Sequence, residues 1–171
     1  MMEQTQQEIE PSVDKPEVRQ LSQEDREVIK TLARRIDDGA KMAEIFGLDD
    51  QTMIGLEVQG YRLYRSGCFD QARVACRGVL ALDGDRRLAR LLLGDMALQE
   101  YRFADAVEHL EKVYELEPER TAVRARLGEA LLKWGDAERA RPHLEAVAGG
   151  EGGPTEEEQR RCQALLDVIG R

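Results

Sequence analysis

The sequence predicts an all-α protein in which three tandem helix hairpins stack as a right-handed solenoid. The prediction depends on two sets of small residues that recur every 34 positions: Gly60, Gly94 and Gly128, and Ala72, Ala106 and Ala140. A fixed period of this length is typical of repeat architectures. A single hairpin cannot bury its own apolar face, so neighbouring hairpins are expected to stack and form one continuous core.

A period of 34 residues is the length of a tetratricopeptide repeat, which is a helix–turn–helix unit. The glycine of each first helix and the alanine of each second helix mark the point where the two helices cross closely. Gly67 and Gly135 are placed at the turns between helices, where a left-handed backbone is favoured. Phe69 and Phe103 begin second helices, and Pro118 ends the second repeat because proline cannot continue a helix.

The repeat register divides the chain into an N-terminal part, the repeats and a C-terminal cap. Thr155 and Glu158 have the spacing of a capping box, which predicts the start of the C-terminal capping helix. Prolines and acidic residues near the N-terminus predict a disordered acidic tail. The predicted boundaries are 1–20 for the tail, 21–52 for an N-terminal helical segment, 53–86, 87–120 and 121–154 for the repeats (53–154 together), and 155–171 for the capping helix.

Composition and charge exclude several classes of function. The net charge of −9 disfavours binding to nucleic acid or to an anionic membrane, since both require a basic surface. No apolar run is long enough for a transmembrane helix, and the polar N-terminus does not resemble a secretory signal, which predicts a cytoplasmic protein. The three cysteines fit no metal or redox spacing. No phosphate loop or nucleophile motif is present, so we expect no enzyme activity, no cofactor and no metal.

The first helix of each tetratricopeptide repeat lines a concave groove, and the register identifies the side chains that face it. The candidate groove residues are Tyr61, Tyr64 and Arg65 in the first repeat, Leu88, Leu91, Asp95 and Leu98 in the second, and Glu129, Leu132 and Lys133 in the third. Several of them are large and apolar. Contiguous exposed apolar surface usually marks a binding site for a partner, and tyrosine suits such a site well.

The sequence is consistent with two interpretations of these apolar residues. They either bind an extended apolar segment of a partner protein in pockets along the groove, or some of them pack between helices or against a terminal segment of the same chain. The acidic residues Glu57 and Asp95 occupy groove positions, which disfavours a partner that presents an acidic C-terminus.

From about Ile36 to Leu144 the chain resembles the class II type III secretion chaperones, the translocator chaperones of the SycD/LcrH type. The resemblance is carried by three short motifs. They are Tyr64-x-Ser66-Gly67-x-Phe69, Leu82-Asp83-x-Asp85, and Ala130-Leu131-Leu132-Lys133-x-Gly135. The chain departs from the family where it has Glu57, since the family often has an aromatic residue there, and near Ala130, where a cysteine is common.

This resemblance implies a function and a partner. The family's members hold hydrophobic translocator subunits in the bacterial cytoplasm before export, with an extended client segment in the groove. The resemblance also implies homodimerisation through the N-terminal helix, whose apolar stripe here is Val28, Ile29, Leu32 and Ile36. Packing of that stripe onto the first repeat is an equally good account of it.

Two other functions are consistent with the same sequence. One is a generic adaptor or scaffold for the assembly of a bacterial secretion, pilus or motility complex. The other is a regulatory subunit of an enzyme. A chaperone and a scaffold differ in what they bind, since a chaperone keeps an aggregation-prone client soluble and a scaffold joins folded partners.

Overall fold

The computed structural model of the protein describes residues 22–170. The acidic tail predicted for residues 1–20 therefore lies outside the described residues. The chain divides into two compact units, Met1–Asp38 and Gly39–Arg171. This division falls inside the segment 21–52, which the sequence predicts as one N-terminal helical segment. In the described part of the chain all regular secondary structure is helical, as the sequence predicts.

The first unit contains one described helix, α1 (Gln23–Asp37). Its start is set by a capping box, in which the Ser22 hydroxyl accepts a hydrogen bond from the Asp25 N–H at 3.0 Å. In return, the Asp25 carboxylate accepts one from the Ser22 N–H at 2.9 Å. No side chain of α1 is fully buried.

The second unit begins with a short helix and continues with three helix hairpins and a final helix. The short helix is α2 (Met42–Ile45). The hairpins are α3 (Asp50–Arg65) with α4 (Phe69–Leu82), α5 (Arg87–Gln99) with α6 (Phe103–Leu116), and α7 (Thr121–Trp134) with α8 (Ala137–Ala148), and the final helix is α9 (Glu156–Ile169). The helices α4 and α6 begin at Phe69 and Phe103, as predicted from the sequence.

The recurring glycines lie where the two helices of each hairpin are in close contact. A Cβ atom built on Gly60 would lie 3.1 Å from the sulfur of Cys76. The same atom on Gly94 would lie 2.9 Å from Cγ of Leu110. On Gly128 it would lie 2.7 Å from Cδ2 of Leu144. These partner residues are themselves 34 positions apart, so the same contact is repeated in all three hairpins.

The recurring alanines occupy the second helices of the same hairpins and are completely buried. Around these contacts the apolar side chains form two cores. The first core comprises Ala43, Met53, Ala72, Cys76, Val79, Ala89, Leu92, Leu93 and Met96. The second core contains, among others, Leu91, Leu110, Val113, Leu127, Leu131, Leu144, Val147 and Cys162. Residues of α5 contribute to both cores, so the middle hairpin connects its two neighbours.

The C-terminal helix α9 covers the last hairpin, as the sequence predicts. Its capping box is present, with the Thr155 N–H donating to the Glu158 carboxylate at 2.9 Å. Cys162 is fully buried in the second core, and Leu165, Leu166 and Ile169 pack against it. The helix contacts both α7 and α8. It therefore extends the row of first helices by one more member.

The close crossing of α7 and α8 predicts the effect of one added methyl group. In Gly128→Ala the new Cβ meets the branched end of a fully buried leucine, and overpacking of this kind costs about 1–3 kcal/mol, only partly offset by the better helix propensity of alanine. We expect a net loss of about 1–2 kcal/mol in the free energy of unfolding, measured by urea denaturation.

Gly78 provides a matched control for this prediction. It lies inside α4, and a Cβ atom added to it would have no neighbour within 4 Å. Gly78→Ala should therefore stabilise the protein by about 0.5–1 kcal/mol through helix propensity alone. A stabilising effect of both substitutions would show that the 34-residue glycine spacing does not reflect close packing.

Candidate functional site

The first helices of the hairpins form one continuous face, which we call the groove. The helix α5 contacts α3 on one side and α7 on the other, and α7 also contacts α9. Side chains from these four helices and from the turn after α5 surround a cavity of about 350 Å³. The residues that line this groove cavity are Tyr64, Asp95, Leu98, Gln99, Tyr101, Arg126, Glu129, Lys133 and Arg161.

Half of the sequence-predicted groove residues meet in this cavity: Tyr64, Asp95, Leu98, Glu129 and Lys133. Leu88 lies instead in a second cavity of about 530 Å³ near the N-terminal end of the repeats. The remaining four, Tyr61, Arg65, Leu91 and Leu132, line neither cavity.

The predicted apolar residues differ in how much of their surface is accessible. Tyr61 has 42% of its surface exposed, whereas Leu91 is only 8% exposed and belongs to the second core. Leu98 and Leu132 are partly buried against the same core, and Leu88 is partly buried against the first core. Packing between helices therefore takes up much of the leucine surface, because neighbouring first helices lie close enough to bury it.

The accessible walls of the groove cavity are polar and carry ion pairs between neighbouring helices. Arg126 Nε lies 2.9 Å from a carboxylate oxygen of Asp95, which connects α7 to α5. Glu129 accepts hydrogen bonds from two cations, with Lys133 Nζ at 2.8 Å and an Arg161 guanidinium nitrogen at 2.5 Å. On the other side the Gln99 amide donates to the Tyr64 hydroxyl at 2.9 Å.

The acidic and basic groups of this cavity lie at different depths. The Glu129 side chain is only 8% exposed, whereas that of Arg161 is 64% exposed. Asp95 likewise lies deeper than its partner Arg126. The solvent-accessible charge is therefore cationic, although the chain as a whole is acidic. This differs from the sequence-based interpretation, in which Asp95 repels an acidic partner, because the carboxylate is covered by the arginine it pairs with.

The pKa values of the two carboxyl groups reflect this arrangement. Burial raises the pKa of Asp95 above its ordinary value, and the neighbouring Arg126 only partly opposes it. Burial also acts to raise the pKa of Glu129, but the hydrogen bonds from Lys133 and Arg161 outweigh it, so that the pKa lies below its ordinary value. Glu129 is therefore held as a carboxylate that anchors α9 to α7.

The second cavity is bordered by an ion-pair network around Arg86, a half-buried residue at the start of α5. Its guanidinium lies 2.5 Å from Asp50, 3.0 Å from Asp83 and 3.5 Å from Glu57. Lys41 also contacts Asp83 at 2.7 Å. Glu57 is therefore buried and paired with an arginine. The network joins α3, the α4–α5 turn and the residue that precedes α2, which indicates a structural role.

The groove cavity also contains an aromatic residue that is not among the predicted groove residues. Tyr101 lies in the turn between α5 and α6 and has a positive φ of 60°, the only non-glycine residue among the described ones to do so. The equivalent positions of the other two hairpins are Gly67 and Gly135, with φ of 75° and 98°. A left-handed backbone costs a residue with a side chain about 1–2 kcal/mol, which glycine avoids.

The repeat alignment contains the signal that identifies Tyr101, because the residue stands 34 positions from each of the two turn glycines. Arg126 and Arg161 also line the cavity and were not selected from the sequence. Arg161 belongs to the capping helix, so its approach to the groove depends on how α9 packs.

Within residues 22–170, no group of three or more histidine, cysteine or acidic side chains is placed to hold a metal ion. None of the helices described in this range is long and apolar enough to cross a membrane.

Comparison with known proteins identifies the fold. Residues 97–150 match the family model described as tetratricopeptide repeat. This match covers the end of α5, all of α6 and α7, and α8. The protein therefore has the fold of a tetratricopeptide-repeat protein, with three helix hairpins and a capping helix. No curated protein matches the sequence.

Several solved structures share the fold at low sequence identity. A type III secretion complex from Aeromonas hydrophila is 20% identical, with 82% of this chain and 95% of that chain covered and a TM-score of 0.70. The translocator chaperone SycD of Yersinia enterocolitica is 17% identical, with 76% and 98% covered and a TM-score of 0.63. SycD bound to a peptide of the translocator YopD is 18% identical, with 72% and 95% covered and a TM-score of 0.63.

The different exposure of Tyr61 and Leu91 predicts opposite effects of truncation on stability. Leu91→Ala removes a buried side chain from the second core and should lower the free energy of unfolding by about 2–4 kcal/mol. Tyr61→Ala removes a half-exposed side chain and should change it by about 1 kcal/mol or less. Both values can be measured by urea denaturation followed by circular dichroism. Equal, small losses for the two variants would place Leu91 on the accessible face of the groove.

Proposed function

We propose that the protein is a binding protein without catalytic activity, and that it holds an extended segment of a hydrophobic client in the groove. The observation that carries the proposal is the groove cavity, which is lined by first helices, the α5–α6 turn and the capping helix. Tyrosine side chains, a partly buried leucine and charged groups that are already paired border this cavity. Such a lining suits a peptide, which presents both apolar side chains and backbone polar groups.

The proposed client is a translocator subunit of a type III secretion system, held in the bacterial cytoplasm until export. The structural similarity to SycD, and to SycD with its YopD peptide, supports this class of client. A hydrophobic translocator aggregates when its apolar segments are exposed to water. A chaperone that binds one such segment lowers the concentration of the free form, and by mass action it keeps the subunit in solution.

Co-expression tests this function directly. We expect that a hydrophobic translocator-like protein, encoded beside the gene for this chain, accumulates in the soluble fraction only when the two are co-expressed, and that the two proteins co-purify. Retention of the client in the insoluble fraction would contradict the chaperone function. Binding of a client that is soluble by itself would instead favour the adaptor or scaffold function.

We also propose that α1 forms a homodimer through its apolar stripe. Val28, Ile29 and Ile36 are exposed and Leu32 is partly buried, all on one amphipathic helix. Exposed apolar surface of this kind often marks a protein–protein contact.

The substitution Leu32→Glu should make the dimer monomeric, because it places a charge in the centre of the stripe, where burial without a partner is unfavourable. Mass measured by light scattering at matched concentrations provides the readout. Lys30→Glu, on the polar side of the same helix, is the control and should leave the mass unchanged. The same mass for Leu32→Glu and for the unaltered protein would exclude this interface.

A further inference from the structure

We propose that Tyr101 is an aromatic anchor in the groove, and that its cavity takes an apolar side chain flanked by carboxylates on an extended client segment. This inference deepens the proposed function and rests on it. It adds a residue that departs from the repeat pattern, and it assigns a charge preference to the client.

The three hairpin turns have the same backbone hydrogen bonds. The middle turn differs only in its sequence, since it has Tyr101 where the other two have glycine. The N–H groups of Gly67, Tyr101 and Gly135 donate to the carbonyls three residues earlier at 3.0, 3.3 and 3.1 Å. The N–H groups of the following residues, Cys68, Arg102 and Asp136, donate to the carbonyls five residues earlier at 3.0, 2.8 and 2.9 Å. These bonds define the helix-ending motif that favours glycine at its left-handed position. The turn itself therefore does not require a tyrosine.

Packing within the chain also gives little reason for the ring. The Tyr101 side chain is 80% exposed. Its ring contact is an edge-on approach to Phe103, with centroids 6.0 Å apart. A large exposed ring held on an unfavourable backbone is typical of a site where strain is retained for binding.

The surroundings of the ring indicate what it binds. Tyr101 shares its cavity with Arg126, Lys133 and Arg161, whose side chains are more exposed than those of the acids they pair with. The acidic partners of these cations, Asp95 and Glu129, lie beneath them. A client segment that places an apolar side chain on the ring therefore brings its neighbouring side chains close to cationic groups. Glutamate or aspartate is therefore favoured in the client beside its apolar residue, and lysine or arginine at the same positions is repelled.

The first test measures stability. Tyr101→Gly removes the unfavourable backbone conformation and should raise the unfolding midpoint by about 2–4 °C in a thermal scan. Tyr101→Asn should leave the midpoint unchanged or higher, because asparagine tolerates a positive φ. A lower midpoint for both variants would show that contact of the ring with Phe103 stabilises the turn, and it would overturn the proposal.

The second test measures binding with three short synthetic peptides labelled with fluorescein. Each has a central leucine in a proline-containing, non-helical sequence, flanked by glutamates, by glutamines or by lysines. By fluorescence anisotropy we expect the glutamate peptide to bind most tightly and the lysine peptide least. In Tyr101→Gly the affinity for the glutamate peptide should fall about tenfold, which is the loss expected when an aromatic hot spot is removed. Equal affinities of the glutamate and lysine peptides, or no detectable binding of either peptide, would overturn the charge preference.

Trp134→Ala is the matched control, since this half-exposed aromatic residue lies at the end of α7 and lines none of the groove cavity. It should leave the affinity for the glutamate peptide unchanged. An equal loss of affinity in Trp134→Ala and Tyr101→Gly would overturn the assignment of the anchor to Tyr101.

Co-expression separates this inference from the proposed function. If the unaltered protein fails to keep the client soluble, the proposed function fails, whatever the result at Tyr101. If the unaltered protein keeps the client soluble and Tyr101→Gly does so equally well with unchanged affinity for the glutamate peptide, the anchor fails and the function stands.

Discussion

The stacking of the hairpins and the position of the groove follow from the close approach of the two helices in each hairpin. Gly60, Gly94 and Gly128 leave no space for a side chain, so their partner helices approach to van der Waals contact. That contact determines how closely the buried alanines and leucines of the two helices pack against each other. Because it recurs every 34 residues, each hairpin presents the same surface to the next, and stacking places the first helices side by side. The groove follows from this repetition.

The groove that results is less apolar and more charged than a count of its leucines implies. Adjacent first helices bury Leu91 and partly bury Leu98 and Leu132 against the second core. The polar groups between them form ion pairs that connect α5, α7 and α9. In these pairs the acidic partner is the deeper one, so that a chain with a net charge of −9 presents exposed cations at one cavity. Local charge in a cleft can thus oppose the charge of the whole protein.

The turn at Tyr101 shows how a repeat protein combines a regular scaffold with a specific site. The hydrogen bonds of this turn match those of its two counterparts, so the scaffold is unchanged. Only the side chain differs, which indicates that the tyrosine serves binding rather than the structure of the repeat. A departure from the repeat pattern at a position where the pattern has a physical reason is more informative than a departure on a freely variable surface.

The fold could be predicted from the sequence alone. The 34-residue spacing, the glycines and alanines of the helix crossings, and the capping box at Thr155 are local or periodic signals, and all of them reappear in the structure. The accessibility of the groove residues could not be predicted in this way, because burial depends on the distance between helices. The pairing of Asp95 with Arg126 and of Glu129 with Arg161 likewise depends on the tertiary structure, since these partners lie about thirty residues apart and meet only when successive first helices stack.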